Sequence, residues 1–574
     1  MKKKSFPILA AGGLILLTVI IAGIVILVKK YTPSKEQMDL SEYYNISAET
    51  QVAVILDDMV YETHGTLIND HVYLDYQFVH DYLNSRFYWD YNENILLYTT
   101  ASDVVSANVE SSTYTVGKAS TDFGRVIVKA TADSALIDID FVSGYSKFTY
   151  DYYDSPSRVV IRGTEASITV ATVKKNTQIR YRGGIKSPIL CNAAKSSSVT
   201  VLEADEKWTK VCTTDGIVGY IRSNALKDSK SVTPELHYTE EEFQHMKLDK
   251  PVNLLWHQVS SSASNDKISD LISSSKGLNV ISPTWFQIID NSGNISSNLA
   301  SKDYVDYCHN HNVEVWGLIS NVEDNPIDIV SILNHTSSRQ NLVNQLIAAA
   351  LKYNLDGINV DIEFNNGEKA GDGYIQFIRE LSIKCENNDL ILSVDVPIPA
   401  SYNTVYQYSE QHYFADYVIV MGYDEHINQS TGEGSVASLS WVREAVENTL
   451  AEGVPADQFI LAMPFYTRLW NVTPTSDEIN EDTEYLIGCE HMNLTAAKNW
   501  MNENVSEPIW LEDCGQWYGE TTKDGVTYKM WLEDETSMAK RLELLNEYSL
   551  AGGAFWSNHW ANSTIWDTII KYIN

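Results

Sequence analysis

Apolar residues are arranged along this chain in three different ways. From Phe6 to Val28 they form an uncharged run, long enough to cross a hydrocarbon core of about 30 Å as a helix. From about residue 50 to 228 they alternate with polar residues over short stretches bounded by turns, the period of half-buried strands. From about 250 onward they gather into eight strand-length runs: Val252–Gln258, Leu278–Ile288, Val313–Asn321, Leu355–Phe364, Leu390–Pro397, Tyr417–Asp424, Phe459–Tyr466 and Gly552–Ser557. Near-continuous apolar strands are what a parallel sheet buried on both faces requires. Most are separated by helical patterns, which predicts an α/β fold, a (β/α)8 TIM barrel. A hairpin-rich stretch of about Thr467–Asp534 reads as an insertion between strands seven and eight.

Active sites of such barrels sit at the C-terminal strand ends, so polar residues closing the runs are the candidates for chemistry. Strand four is the most informative: Asp356-Gly357-Ile358-Asn359-Val360-Asp361-Ile362-Glu363. Alternation sends Ile358, Val360 and Ile362 toward the helices and Gly357, Asn359, Asp361 and Glu363 into the barrel. An amide and two carboxylates in an interior normally filled by branched apolar side chains cost several kcal/mol unless they have a role or partners. Asp356 has the opposite parity and is expected to play a supporting part.

The segments before the barrel divide into a cytoplasmic stub and membrane-spanning anchor (1–30), a polar linker (31–50), an α+β unit (51–168), a small all-β unit (169–228) and a second linker (229–249) ahead of the barrel domain (250–574). Lys2, Lys3 and Lys4 precede the apolar run and Lys29 and Lys30 follow it. The heavier positive end is expected inside, leaving the rest extracellular on a single-pass membrane protein. The run is longer than an ordinary signal-peptide core and no A-x-A-like site follows it, which favours an uncleaved anchor over a cleaved signal.

Composition narrows the function. The formal net charge is −34, and the first thirty residues contribute only lysines to it, so the remainder is more acidic still. Such a surface repels phosphate backbones and disfavours nucleic acid as a partner. The six cysteines show no zinc-type spacing; Cys191 with Cys212 and Cys489 with Cys514 could each be bridged or remain free thiols. Tyr and Trp are abundant, which suits sugar rings and cores alike.

Asp356-x-x-Asn359-x-Asp361-x-Glu363 resembles the DxxDxDxE signature of family 18 glycoside hydrolases at three of four positions. Met421-Gly422-Tyr423-Asp424, Met463-Pro464-Phe465-Tyr466-Thr467-Arg468 and Gly552-Gly553-Ala554-Phe555-Trp556 follow in the family's order. Tyr423-Asp424-Glu425-His426 with Gly434-Ser435-Val436-Ala437-Ser438, and Trp531-Leu532-Glu533-Asp534, resemble the branch with spore-cortex and peptidoglycan N-acetylglucosaminidases. The departure is Asn359, where chitinases usually have Asp. Residues 51–168 resemble the stalk domain named after the N-terminal part of copper amine oxidases, although His64, His71 and His80 offer no copper ligand set. Residues 169–228 resemble bacterial SH3-like domains, which serve as wall binders or as spacers.

The resemblance implies a retaining, substrate-assisted hydrolysis of N-acetylglucosaminyl linkages in peptidoglycan. Glu363 would be general acid and then base, Asp361 would orient the acetamido group and offset oxazolinium charge, and Tyr423 would hold the acetamido oxygen. Asn359 and Asp356 would support them. Trp556 would floor the pocket, with Asp424, Trp285, Tyr466, Arg468 and Met421 as further substrate-binding candidates. No metal or organic cofactor is implied. Chitin as substrate and a catalytically silent lectin are the alternatives; retention of Glu363 counts against the second.

Overall fold

The computed structural model describes residues 6–236, 238–322, 327–364, 371–475 and 484–573. The chain divides into two compact units: Met1–Trp89 with Ala107–Thr115 and Ser120–Glu240, and Asp90–Ser106 with Val116–Ala119 and Glu241–Asn574.

The first unit begins with a helix, Phe6–Tyr31, that is long and apolar enough to cross a membrane. Residues 31–50, read above as a polar linker, are instead ordered against the all-β part of the same unit. Met38 N–H donates to Ile189 O, Tyr43 Oη to Val218 O and Tyr44 Oη to Gly216 O. The apolar faces of Leu40, Tyr43, Tyr44 and Ile46 give that segment something to bury. The all-β part is a seven-stranded antiparallel sheet that runs from Ile189–Ala193 at one edge to Leu226–Val232 at the other. Another seven-stranded sheet is built around Gln51–Leu56 and Ser157–Arg162, paired in parallel. His71–Asp75 is a strand of this sheet with Leu74 buried in it, and Asp75 caps the helical turns that follow. All six cysteines are free thiols.

The second unit contains a closed barrel of eight parallel strands, a TIM barrel: Val252–His257, Val280–Pro283, Glu314–Ser320, Gly357–Asp361, Ile391–Val396, Tyr417–Met421, Phe459–Pro464 and Gly552–Trp556. Strand two pairs with strand three, and strand eight with strand one, which closes the circle. Alternation is as the pattern requires. Ile358, Val360 and Ile362 pack under the helices, while Val252, Leu254, Trp256, Trp316, Leu318, Ile419 and Ile460 fill the interior. At the N-terminal mouth Met246 and Leu248 pack on that interior cluster, anchored by N–H donation to Asp416 and to Tyr417 Oη.

After strand seven the chain enters a five-stranded antiparallel sheet that runs from Tyr466–Pro474 to Val526–Leu532 and includes a helix, Leu494–Asn504. Its exit is Trp531-Leu532-Glu533-Asp534. Asp534 closes a capping box with Ser537 on the helix Glu535–Glu547. Buried Glu533 pairs with Arg541 and accepts from Gln516 Nε2 at 2.6 Å.

Candidate active site

The layer of side chains nearest the C-terminal mouth carries the polar groups. Asn359 is fully buried at the barrel axis and every hydrogen-bonding position of its amide is used. Its Oδ1 accepts from Trp256 Nε1 and Ser282 Oγ, each at 2.9 Å. Its Nδ2 donates to Ser393 Oγ at 3.0 Å and to Asp395 Oδ1 at 2.8 Å. The amide nitrogen is directed to strand five, because Ser393 is its cross-strand partner.

Asp361, one step toward the mouth, is half-buried, and its Oδ1 is buried with no hydrogen-bond partner among the described residues. Burial, and then the charge of Glu363, push its carboxyl above the ordinary aspartate range. Glu363 opens onto the cleft, with its backbone clamped on both sides: its N–H donates to Asn321 Oδ1 at 2.9 Å and its carbonyl accepts from Asn321 Nδ2 at 2.8 Å. The cleft walls remove enough water, and Asp424 adds enough negative charge, to raise the Glu363 carboxyl as well.

Strand six and the start of the inserted sheet form the opposite wall. Asp424 has φ of 67°, in the left-handed region that a non-glycine residue occupies at a cost. Its carboxylate accepts from Tyr466 Oη and, at 2.7 Å, from Arg468 Nη2. Arg468 also reaches His426 O at 2.6 Å, tying that loop down. Glu425 accepts from Ser438 N and Oγ, and Trp470 Nε1 donates to Gly434 O. A Cβ at Gly434 would meet the His426 imidazole at 2.3 Å, so the loop requires glycine there. Tyr423 packs edge-on to Tyr466, and burial keeps its phenol protonated far into the alkaline range.

These residues line a cleft of about 1440 Å³. Asp361, Glu363, Met421, Tyr423, Asp424, Tyr466 and Trp556 all face it, and Arg468 acts behind Asp424. Trp556 lies edge-on to Trp256, which in turn holds Asn359. Two candidates lie elsewhere. Trp285 is buried outside the barrel strands, donating Nε1 to Asn265 Oδ1 and packing on Tyr304, so it does not reach the cleft. Asp356 sits on the helix side of strand four, where Oδ2 accepts from His309 Nε2 and Val315 N. It braces strand four against strand three and the helix Lys302–His309.

The sequence reading passed over Asp395 and Asn321. Asp395 was legible by the parity rule already applied to strand four: Ile391, Ser393 and Asp395 share the inward face of strand five. The exposed Tyr402, which also lines the cleft, had no such signal, because loop geometry carries no period.

Comparison with known proteins agrees with this geometry. The model of the family "Glycosyl hydrolases family 18" matches residues 217–559. The glycosylase YvbX of Bacillus subtilis (strain 168), itself uncharacterized, is 25% identical over 282 residues, 46% of this chain and 76% of that protein. The cortical fragment-lytic enzyme of the same organism is 21% identical over 231 residues, 39% of this chain and 51% of its own length. Among solved structures, the C-terminal domain of a protein of Desulfitobacterium hafniense DCB-2 assigned as a chitinase superposes with a TM-score of 0.50. It is 18% identical, covering 56% of this chain and 98% of that one, which speaks to fold.

Proposed function

The chain belongs to glycosyl hydrolase family 18, and we propose that it hydrolyses N-acetylglucosaminyl linkages of cell-wall peptidoglycan with retention, using the substrate's own acetamido group as nucleophile. The observation that carries the reading is the pair Asp361 and Glu363 at the open end of strand four, both with raised affinity for a proton, facing Tyr423 and Trp556 across one cleft.

In this reading Glu363 begins protonated and gives its proton to the departing glycosidic oxygen. The acetamido oxygen attacks the anomeric carbon and closes an oxazolinium ring, the route by which family 18 departs from the two-carboxylate scheme. Asp361 accepts from the acetamido N–H and lies beside the positive ring, where an anion in a water-poor site is most effective. Tyr423 donates to the acetamido oxygen. Glu363, now ionised, takes a proton from water as that water opens the ring, which restores the starting state. Trp556 supplies the apolar floor under the sugar.

Peptidoglycan is favoured over chitin by the likeness to a cortical fragment-lytic enzyme and by the amide at position 359. The SH3-like and stalk readings of residues 169–228 and 51–168, and the anchor at 6–28, fit an enzyme held outside the cell and presented to its wall. The test is digestion of purified peptidoglycan and of chitin oligosaccharides by the whole chain and by Glu363→Gln, with reducing-end analysis. New N-acetylglucosamine reducing ends from peptidoglycan with the wild type alone are expected. Cleavage confined to chitin would replace the substrate, and binding without cleavage of either would replace the enzyme with a lectin.

A further inference from the structure

Asn359 can neither take up nor release a proton, and its neighbours fix which way it points. Trp256 and Ser282 donate to its oxygen while its nitrogen donates to Ser393 and Asp395, and reversing the amide would set donors against donors. Asp361, the next inward residue, therefore exchanges no proton with strand four behind it. Strand five offers a carboxyl instead. The parallel register pairs Asn359 with Ser393 and Val360 with Val394; one residue further on come Asp361 and Asp395, inward-facing on adjacent strands. Asp395 is 2% exposed, and only its Oδ1 is engaged by Asn359. Burial and their mutual charge each raise the affinity of these two carboxyls for a proton, so ionising both is disfavoured.

We propose that Asp395 is a positioning residue for the hydrolytic reaction, holding a single proton jointly with Asp361. This rests on the roles given above to Asp361 and Glu363. With the cleft empty, the proton lies between the two carboxyls. When the acetamido N–H arrives, Asp361 turns to it as a carboxylate and the proton stays on Asp395. When product leaves, the proton is shared again, so the cycle neither gains nor loses one. It is separate from the proton that Glu363 delivers to the leaving oxygen.

The other groups around Asp395 favour the protonated pair. Asp361 and Glu363 face it from strand four, Tyr423 from the end of strand six and Tyr374 from the helix Gly373–Glu386. All are acids or phenols. Burial and the charges of Asp361 and Glu363 hold the Asp395 carboxyl well above its ordinary range, against the one opposing influence of the Asn359 hydrogen bond.

The experiment moves the carboxyl between strands. Whole chain in detergent is assayed across pH on a soluble N-acetylglucosamine oligosaccharide as wild type, Asp395→Asn, Asn359→Asp and the double variant Asn359→Asp/Asp395→Asn. Asp395→Asn is expected to lower kcat roughly tenfold or more, with KM nearly unchanged and the pH profile displaced. The double variant, which returns a carboxyl to Asp361 from the adjacent position, should recover most of the loss. Carbon-13 labelling of aspartate carboxyls in Glu363→Gln gives a readout without turnover. The Asp361 and Asp395 signals should move together as one proton leaves the pair, and Asp361 should titrate lower once Asp395 is Asn. Wild-type kcat and pH profile in Asp395→Asn, a folded double variant with no recovery, or two carboxyls titrating independently in the ordinary aspartate range would each overturn the proposal. If wild type cleaves no substrate, the hydrolase reading fails, while the carboxyl titration still decides whether the pair shares a proton.

Discussion

As the proposed general acid, Glu363 must carry a proton at the working pH, and burial beside Asp424 raises its affinity for one. A carboxyl whose folded pKa is raised stays protonated further toward neutral than it would in water, so the acid form is present below that pKa and lost as pH rises through it. The alkaline limb of the pH–rate profile is therefore expected above the ordinary glutamate range. Asp424→Asn, which removes the neighbouring charge, should move that limb to lower pH, as read from kcat/KM between pH 4 and 9. Glu363→Gln removes the transferable proton but keeps the shape, so turnover should fall by about two to four orders of magnitude. Oligosaccharide binding, followed by calorimetry, should persist, since it needs no proton. At this scale the sequence was legible for strand four, where Asn359, Asp361 and Glu363 at alternate positions break an apolar pattern. It misled at Trp285, because an aromatic residue after a strand looks the same whether it packs on Tyr304 or on a sugar.

Elements are locked to one another by contacts that no local pattern announces. Arg339, on the helix Thr336–Tyr353, is fully buried and its Nε and Nη2 donate to Glu380 Oε1 on the next helix, Gly373–Glu386, at 3.0 and 2.9 Å. Removing one partner strands the other charge in the interior. Arg339→Ala is therefore expected to cost about 3–5 kcal/mol of stability in urea unfolding, far more than a surface pair would. Strand four lies so close to its neighbours that a Cβ on Gly357 would come within 2.8 Å of Ile391 O and of the Trp316 ring. Gly357→Ala should cost about 1–3 kcal/mol and lower activity too, since the same shift displaces Asp361 and Glu363. Differential scanning calorimetry beside an activity assay would show whether the two losses travel together. The strand runs were readable because burial on both faces leaves a continuous apolar signature; their partners were not, since ion pairs between helices have no period.

At the scale of the whole molecule, the barrel's unit draws in sequence from far upstream. Asp90 Oδ2 accepts from Thr336 N at 2.7 Å and from Thr336 Oγ1 at 2.6 Å, and Glu93 accepts from Ser337, so the helix Thr336–Tyr353 is capped by residues remote in the chain. Gln376 Nε2 likewise donates to Thr99 Oγ1. A fragment of residues 250–574 keeps all eight strands and the cleft carboxyls, but loses these caps and the Met246–Leu248 plug. It is expected to hydrolyse a soluble N-acetylglucosaminide and to melt several degrees below the whole chain, a cap alone being worth about 1 kcal/mol. Asp90→Ala in the whole chain should reproduce part of that shift. If Phe6–Val28 anchors the protein with its N-terminus inside, protease added to wall-stripped cells should release the ectodomain and leave a short membrane-held stub.

The sequence by itself determined the apolar helix, the eight barrel strands, their inward and outward faces, and the strand that carries acids to the cleft, because period and burial are local properties that a pattern of residue types records directly. It also marked where these elements stop to within three residues, except for the run Leu278–Ile288, whose barrel strand ends at Pro283. Only the tertiary structure decided that residues 31–50 are ordered, that Asp90 caps a helix of the barrel, that Trp285 belongs to the packing around strand two, and that Asn359 turns toward Asp395. Each of those depends on which groups meet after the chain has closed on itself. A buried amide or carboxyl takes the partner that folding places within about 3 Å of it, and that distance is set by register and strand order, which one-dimensional pattern does not contain.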